Sequence, residues 1–455
     1  MPIISPQQRA EAAEGEVLNL VIRQGQPLVI VDSPPGAGKT RLVEAVTGVA
    51  VMQCGLRVAV ATARAEQSYE LIRRLADDFP GLTLQPLIPK DRPLPSDIQV
   101  DSRVRQPAIS PNAVVRSAVA VVATAAKLET SLPFFGNLPA FDLLITDEAY
   151  QLPFKEVAVL QGISRQMLLV GDPGQLPPLV GVDTTRFDAA ASKVHWPAPK
   201  ELLRQYGPAI PVVQLPVTWR FTQDTVEFLQ PSFYPALPFE SAASTGARQL
   251  TFAAAGMGDP IDRALDLVSS GASIVALAAP HKVFANEQID EELVLLQARI
   301  VERALARGAA WADVRNLTHH DIGCIDAHVA SGAAVRRELQ RMNISVDVSS
   351  GVLVETPEIW QGLQRPLIVV KHPLSGLQRV DEFALEPGRA CVMLSRHQIG
   401  CIVVTREGVA EALDDYRHDS GARATGVEDR IWAGREAHWA LWSELERRGR
   451  IITVV

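Results

Sequence analysis

A chain of 455 residues with a net charge of −8 is long enough for two or three domains that each bury a core. Hydrophobic residues make up 47% of it and aromatic residues only 5%, which is typical of an α/β protein and excludes a disordered or fibrous chain. No run of 18 apolar residues and no signal-peptide pattern are present, so we expect a cytoplasmic protein that does not enter a membrane. The four cysteines lack the spacing of a metal site, and the acidic balance leaves room for a local basic groove.

The first predicted element is an apolar strand at 27–33 that runs into SPPGAGKT at 33–40, and a segment with helical spacing follows. This is the phosphate-loop pattern G-x-x-x-x-G-K-[ST], except that Ser33 replaces the first glycine. In such a loop backbone N–H groups wrap phosphates, the lysine neutralises the β and γ oxygens, and the hydroxyl ligates Mg²⁺. The sequence therefore predicts an ATP and Mg²⁺ site formed by Pro35, Gly36, Ala37, Gly38, Lys39 and Thr40.

Further apolar runs alternate with helical or polar segments along the first part of the chain. They lie at 57–63, 118–126, 141–149 and 166–172. This alternation predicts a mainly parallel sheet covered by helices, in a first domain at 1–205. Proline recurs too often at 80–112 for a helix or a central strand, so we expect a small ordered insertion there.

Two of these strands end in polar residues suited to phosphoryl transfer. LLITDEAYQLP, at 143–153, places Asp147 to hold Mg²⁺ and Glu148 to orient and deprotonate an attacking water. LLVGDPGQLPP, at 168–178, places Gln175 to donate to the γ-phosphate. The alternative to a catalytic role for Asp147 and Glu148 is that they are solvated acids at the start of a helix.

A second series of apolar runs predicts another α/β domain at 206–455. These runs lie at 272–280, 321–327, 351–356, 365–373 and 390–405. The chain ends in a predicted helix in which Trp432, Trp439 and Trp442 recur at helical spacing. We expect these indoles to pack in a core, with base stacking as the alternative.

SPPGAGKT, DEAYQ and GDPGQLPP, in this order, resemble motifs I, II and III of superfamily 1 helicases. The DEAxQ form is most similar to the branch of nonsense-mediated-decay and senataxin-type helicases. The resemblance implies two tandem RecA-like P-loop domains with parallel sheets flanked by helices. It also implies ATP hydrolysis between these domains that moves the protein along single-stranded DNA or RNA, in the 5′→3′ direction.

Three later segments continue the resemblance. The segment 215–235 is similar to motif IV, which implies that Trp219 flanks the adenine and that Arg220 reaches the γ-phosphate. The segment 354–370 resembles motif V, with Gly362 at the family's glycine. The segment 388–404 resembles motif VI, in which Arg396 would be the second arginine finger and Arg389 its companion.

Candidate nucleic-acid contacts follow from the same resemblance. Thr62 and Arg64 lie where motif Ia is found, and Thr124 lies at another strand end, so all three are candidates to meet phosphates. Trp360 is a candidate to stack on a base. Ordinary loop, cap or packing roles are the alternatives for each.

Gln364 stands where the family commonly has glutamate, and the segment 80–112 is shorter than the family's accessory barrel. These departures favour an alternative function, a nucleotide-gated switch that docks a protein partner without unwinding. A ring-forming ATPase is disfavoured because two candidate arginine fingers lie in one chain, so we expect a monomer. The histidines and aspartates of 318–328 have the residue types of a metal site, but their alternation favours a strand followed by a helix.

Overall fold

Two compact units make up the chain in the computed structural model. The structure describes residues 4–181, 184, 187, 190–244, 246–282, 289–311, 315–377, 379–416 and 430–454. Unit 1 consists of Met1–Pro173 and Pro177–Val217, and unit 2 of Gly174–Leu176 and Thr218–Val455. Unit 1 thus extends past the predicted domain end at 205, because a strand at Val212–Gln214 pairs with its central sheet.

A seven-stranded sheet forms the centre of unit 1, and every pairing in it is parallel. Its strands are β1 (Leu28–Asp32), β2 (Arg57–Thr62), β3 (Leu84–Pro86), β4 (Val119–Thr124), β5 (Phe141–Thr146), β6 (Ser164–Gly171) and β7 (Val212–Gln214), in the spatial order β3-β4-β2-β5-β6-β1-β7. The helices are α1 (Pro6–Leu18), α2 (Lys39–Gly48), α3 (Ala65–Asp78), α4 (Ser96–Val100), α5 (Ala125–Ser131), α6 (Phe154–Leu160) and α7 (Ala198–Tyr206).

The strands of unit 1 are apolar on both faces because helices cover both sides of the sheet. Val29 and Val31 of β1 join one core cluster, whereas Ile30 between them joins the cluster on the opposite face. The same alternation separates Val60 from Ala61 on β2. This double burial explains why the strands read as continuous apolar runs.

Unit 2 repeats this architecture around a six-stranded parallel sheet. In chain order its strands are β8 (Val217–Thr222), β9 (Glu240–Ala243), β10 (Leu250–Phe252), β11 (Ile274–Ala279), β12 (Ala309–Trp311), β13 (Arg315–Asn316), β14 (Ile322–Ile325), β15 (Leu353–Glu355), β16 (Arg365–Lys371), β17 (His397–Arg406) and β18 (Ile451–Thr453). The main sheet has the order β15-β14-β16-β17-β11-β18, β8 pairs with β9, and β10, β12 and β13 form a small antiparallel sheet.

The helices of unit 2 cover both faces of its main sheet, and two core clusters lie on these faces. The helices are α8 (Gln223–Phe233), α9 (Pro260–Ser269), α10 (Glu291–Ala306), α11 (Val329–Arg341), α12 (Pro357–Trp360), α13 (Glu382–Leu385), α14 (Pro387–Leu394), α15 (Val409–Asp415) and α16 (Arg430–Arg447). The predicted α/β fold class, with parallel sheets flanked by helices, is confirmed. Among the described residues, no helix is long and apolar enough to cross a bilayer.

Two local predictions differ from the structure. The apolar run at 390–394 is part of α14, and only the run after it forms strand β17. A short apolar run does not distinguish a buried helix from a buried strand, which explains this error. The tryptophans of α16, which we expected to pack in a core, also differ in burial: Trp442 is buried, whereas Trp432 is 41% exposed.

Candidate active site

The glycine-rich loop follows the carboxyl end of β1 and leads into α2. Gly36 and Gly38 have φ angles of 77° and 91°, in the left-handed region that favours glycine. Ser33 replaces the usual first glycine without strain: its side chain is buried and its N–H donates to the carbonyl of Gly171 at 2.9 Å. The loop therefore leads directly into the amino terminus of α2, the end of a helix that favours anions.

Lys39 is the first residue of α2 and is only 9% exposed. Its ammonium lies 3.9 Å from the Glu148 carboxylate and 3.6 Å from the Asp172 carboxylate. Both distances exceed a direct hydrogen bond. The lysine is thus held near two acids without being closed into a tight ion pair.

The two adjacent acids form a sharp turn after β5. Asp147 is 7% exposed, and its Oδ1 accepts a hydrogen bond from the N–H of Glu148 at 3.0 Å. Glu148 has a φ of 57°, a left-handed conformation that costs a non-glycine residue about 1 kcal/mol. Such a conformation directs consecutive side chains differently from a helix or strand. The turn therefore determines the directions of the Asp147 and Glu148 side chains.

Two contacts made by the residues that follow Glu148 support this turn. The Tyr150 hydroxyl donates to Oδ1 of Asp32 at 2.7 Å. Gly171, at the end of β6, lies so close that a Cβ there would be 2.8 Å from the Tyr150 ring and 3.0 Å from the Ala149 nitrogen. A side chain at position 171 would therefore displace the turn.

Sequence reasoning missed Asp32, Tyr150 and Asp172 as parts of this site. All three lie within or beside the quoted motifs, and each of the two aspartates ends or follows an apolar strand. The available signal was therefore position, since carboxyl ends of parallel strands converge at one edge of a sheet.

Burial and crowding of acids shift the pKa values at this edge. Burial and the charge of Glu148 raise the pKa of Asp147 to about 7, against the opposing charge of Lys39. Burial also raises the pKa of Asp32, against the hydrogen bond from Tyr150 and in the same direction as the charge of Asp172. Three carboxyl groups, those of Asp147, Glu148 and Asp172, thus interact with the one ammonium of Lys39, an excess of negative charge that a cation would balance.

The donor set fits Mg²⁺. Asp147 accepts a hydrogen bond at Oδ1, which leaves Oδ2 to bind a cation, and the Thr40 hydroxyl lies in the first turn of α2. Within the described ranges, no group of three or more His, Cys, Asp or Glu side chains could hold a metal ion. Mg²⁺ commonly takes one or two protein ligands, with water and phosphate oxygens completing its shell.

The predicted arginines of unit 2 lie together at the amino ends of β16 and β17. A guanidinium nitrogen of Arg220 donates to the carbonyl of Ser395 at 3.0 Å. Arg396 is 1% exposed, and its guanidinium donates to the Ser395 hydroxyl at 2.6 Å and to the Val392 carbonyl at 3.1 Å. Burial lowers the pKa of the neighbouring His397 to about 3, and the charge of Arg220 adds to this effect.

Other predicted residues of the nucleotide site also lie in unit 2. Trp219 precedes Arg220 on β8 and is 38% exposed, so its ring is accessible. Gly362 has a φ of 85°, which suits glycine. Gln175 is buried, and its carbonyl lies so close to Gly388 that a Cβ at 388 would be 2.6 Å away.

The candidate nucleic-acid contacts are mostly engaged within the protein. Thr62 is fully buried, and its hydroxyl bonds to Ser68 at 2.6 Å and to the Arg64 carbonyl at 2.9 Å. Thr124 caps α5, accepting a hydrogen bond from the N–H of Lys127 at 3.2 Å. These two threonines occupy the loop and cap positions that were the structural alternative, whereas Arg64 precedes α3 and is partly exposed.

The stacking role predicted for Trp360 does not fit its position. The indole is fully buried and lies against Gly323 of β14, where a Cβ would be 2.2 Å from the ring. Its ring faces are covered by the core of unit 2, so a base has no access to them. Packing, the alternative given above, accounts for this tryptophan.

The histidine and aspartate segment also has structural roles. Asp321 pairs with Arg315 and accepts a hydrogen bond from the N–H of Thr318 at 2.7 Å. Asp326 accepts a hydrogen bond from the buried Ser331 hydroxyl at 2.5 Å.

Comparisons with known proteins cover the chain unevenly. The family model described as an AAA domain matches residues 9–205, the segment that holds the glycine-rich loop and the acid pair. Among solved structures, the chain is similar to the PRRSV helicase, at 16% identity and a TM-score of 0.42, over 88% of this chain and 55% of that one. It is also similar to arterivirus nonstructural protein 10, a helicase solved with DNA, at 13% identity and a TM-score of 0.43, over 86% of this chain and 64% of that one.

The chain thus spans less than two thirds of the length of these solved helicases. The match to the AAA domain covers less than half of the chain. No curated protein matches the chain in sequence.

Proposed function

We propose that this protein is an ATPase of the superfamily 1 helicase type that moves along single-stranded DNA or RNA in the 5′→3′ direction. One observation carries the ATPase part: Lys39, at the end of a glycine loop with two left-handed residues, faces Glu148 and Asp172. The ordered motifs in the sequence support the motor part. The similarity to the nonsense-mediated-decay and senataxin-type branch belongs to this proposal as well.

The residues of unit 1 have distinct roles in the proposed reaction. Loop N–H groups and the Lys39 ammonium would bind the β- and γ-phosphates, since the lysine is only loosely paired with its acids. A water oxygen would bond to the γ-phosphorus as the bond to the β–γ bridging oxygen breaks, and Glu148 would accept the water's proton. The products are ADP and inorganic phosphate. Mg²⁺ held by Thr40 and Asp147 would neutralise phosphate charge.

We further propose that Arg220 and Arg396 stabilise negative charge on the γ-phosphate and that Gln175 senses this group. The support is chemical, since a bidentate guanidinium matches phosphate oxygens. Both arginines donate to Ser395, two bonds to neutral oxygens that a phosphate could replace. Trp219 would flank the adenine with its exposed ring.

A second candidate function is a nucleotide-gated switch that docks a protein partner. The burial of Thr62 and Trp360 favours it, because two of the four predicted nucleic-acid contacts have no accessible side chain. In this alternative the same ATP site would operate without movement along a strand.

Steady-state ATP hydrolysis, measured with and without single-stranded DNA or RNA, separates the two functions. We expect strong stimulation by one nucleic acid, and a loss of about a hundredfold or more in Lys39→Ala and Glu148→Gln. Lys155→Ala removes an exposed lysine on α6 and serves as the charge-matched control. Hydrolysis that no strand stimulates would overturn the motor and favour the switch, whereas unchanged hydrolysis in both variants would overturn the ATPase site itself.

The proposed motor acts as a cytoplasmic monomer. Gel filtration with ATP tests the oligomeric state, and a ring-sized species would contradict it.

A further inference from the structure

A buried contact in unit 2 joins the two chain segments that carry the predicted arginine fingers. Arg220 of β8 is followed directly by Phe221, a residue of the core. Arg396 is followed directly by His397, the first residue of β17. The rings of Phe221 and His397 are both fully buried, and their centroids lie 5.6 Å apart. The residue after one arginine thus packs on the residue after the other.

His397 also makes a polar contact with the helix that follows β8. A hydrogen bond of 3.0 Å joins its Nε2 to the hydroxyl of Thr225, in the first turn of α8. Both side chains are buried, so water does not compete for this bond and the low local dielectric strengthens it. His397 therefore attaches the start of β17 to α8 through one ring contact and one hydrogen bond.

The first turn of α8 is itself fixed by contacts on both sides. The buried carboxylate of Asp224 accepts hydrogen bonds from the N–H and the hydroxyl of Ser273, at 2.8 and 2.7 Å. Arg450 donates to both oxygens of the same carboxylate, at 2.6 and 2.7 Å. Because Ser273 precedes β11 and Arg450 precedes β18, the turn is tied to two strands of the main sheet. Thr225 is thus a fixed partner for His397.

A neutral imidazole suits this position. Burial lowers the pKa of His397 to about 3, and the charge of Arg220 adds to this effect. A lysine or arginine at position 397 would place a third cation beside Arg220 and Arg396. An alanine would be too short to reach the neighbouring ring or the hydroxyl on α8. Histidine provides both contacts without adding a charge.

We propose that His397 is a positioning residue for ATP hydrolysis, which holds Arg220 and Arg396 at the spacing that the γ-phosphate requires. The inference rests on the proposed function and adds to it the residue that sets the arginine geometry. Arg220 donates to the Ser395 carbonyl at 3.0 Å, a contact that it would give up on turning to a phosphate. The buried contacts of His397 need not change at that moment, so they would keep the two segments in place when the reaction occurs.

The test measures steady-state ATP hydrolysis of the full chain at pH 7.5, with two variants of His397. His397→Leu keeps an apolar side chain but loses the hydrogen bond, and should lower kcat about tenfold because the arginines are misplaced in the transition state. KM for ATP should change by less than about twofold, since Lys39 and the glycine-rich loop still bind the phosphates. His397→Gln can still bond to Thr225, and should keep kcat within about threefold of the native value.

A second variant removes the same hydrogen bond from the side of α8. Thr225→Val preserves the shape of the side chain and should lower kcat as His397→Leu does. The double variant should be no slower than the slower single variant, because both changes remove one bond. His438→Leu removes another fully buried histidine of unit 2 and is the matched control, which should keep the native kcat.

Binding of a transition-state mimic measures the placement of the arginines without turnover. ADP with aluminium fluoride imitates the transferred phosphoryl group, whereas ADP alone lacks it. His397→Leu should bind the mimic about tenfold more weakly than the native protein and should bind ADP equally well. A lower thermal midpoint with both affinities intact would mean that His397 is only structural, and the inference would be wrong.

The outcomes separate this inference from the function on which it depends. If Lys39→Ala loses hydrolysis while His397→Leu retains the native kcat, the ATPase stands and the positioning role is overturned. If His397→Gln is as slow as His397→Leu, the bond to Thr225 is not what places the arginines. A native protein that hydrolyses no ATP, with or without a nucleic-acid strand, would overturn the proposed function and this inference together.

Discussion

The carboxyl edge of the sheet in unit 1 carries a group of acidic side chains, whereas the amino edge of the sheet in unit 2 carries two arginines. At the first edge, the carboxylates of Glu148 and Asp172 lie 3.9 and 3.6 Å from the Lys39 ammonium, and Asp147 and Asp32 lie beside these two acids. At the second, the guanidinium groups of Arg220 and Arg396 both donate to Ser395. Carboxyl groups thus gather at one edge of unit 1, and two arginines gather at one edge of unit 2.

In the proposed reaction, these two kinds of side chain would have complementary roles. Surplus carboxylates attract a cation and activate water, whereas arginines stabilise developing phosphate charge. The crowded, buried carboxyl groups raise the energy of unit 1 until a cation neutralises them. The four predictions below alter one side of this comparison at a time.

The largest expected effect comes from the arginine edge. Arg396→Ala should lower kcat for ATP hydrolysis by about a thousandfold, because phosphate charge in the transition state loses its donor. The comparison variant is Arg406→Ala, which removes another buried arginine, one that donates to the Asp290 carboxylate at 2.9 Å. Equal losses in the two variants, with equal loss of thermal stability, would show that Arg396 is structural.

The protein should be more stable when the carboxylate of Asp147 is removed from the edge of the unit 1 sheet. The pKa of Asp147, about 7, lies above its unfolded value of 3.8, so the ionised carboxyl destabilises the fold as the pH rises through 7. Asp147→Asn should therefore gain stability over the native protein between pH 5 and pH 8, by on the order of 2 kcal/mol, in chelator. Chemical denaturation at both pH values measures this gain.

Glu16→Gln, at an exposed position on α1, is the matched control and should show no such trend. A constant difference between Asp147→Asn and the native protein at the two pH values would contradict the predicted charge surplus.

Unit 2 should respond to acid through neutral histidines in its interior. His438 of α16 and His372 are both buried, with ring centroids 5.2 Å apart. Burial lowers the pKa of His438 to about 4 and that of His372 well below its usual range. The stability that each contributes is complete above pH 6.5 and is lost as the pH falls toward the folded pKa.

For His438 alone this loss is about 2 kcal/mol between pH 7.5 and pH 5. His438→Leu cannot titrate, so its thermal midpoint should change less over this range than that of the native protein. His281→Leu, at an exposed histidine, should retain the native pH profile. A His438→Leu profile as steep as the native one would contradict the burial effect.

The smallest effect concerns the support of the acid turn. Tyr150→Phe removes the hydrogen bond to Asp32 and should destabilise the protein by about 1 kcal/mol in urea denaturation. Tyr206→Phe, at a residue that is 57% exposed, should cost little. Equal values for the two would mean that the Asp32 contact does not stabilise the turn.

The sequence predicted much of the fold because doubly buried strands are continuous in apolar character. Val29, Ile30 and Val31 all face a core, so no register had to be known. The glycines of the phosphate-loop pattern are also local, and Gly36 and Gly38 adopt left-handed conformations that glycine tolerates. The sequence therefore predicted those features that depend on neighbouring residues in the chain.

The features that could not be predicted from the sequence depend on contacts between residues that are distant in the chain. Tyr150 and Asp32 are 118 positions apart, and the turn after Glu148 packs closely on the distant Gly171. Trp360 follows the same rule, because only the missing Cβ of Gly323, 37 positions away, makes room for its ring. Residue type alone gave no indication of these partners.

The division of the chain has a practical consequence for anyone who wishes to study one unit alone. Leu176 belongs to a core cluster of unit 2, and Gly174 lies against the Tyr234 ring there, although the residues on either side belong to unit 1. A fragment that begins at Thr218 would leave a gap in that core and expose Tyr234. Supplying residues 174–176 as a tethered or added peptide should therefore restore a stability that truncation removes.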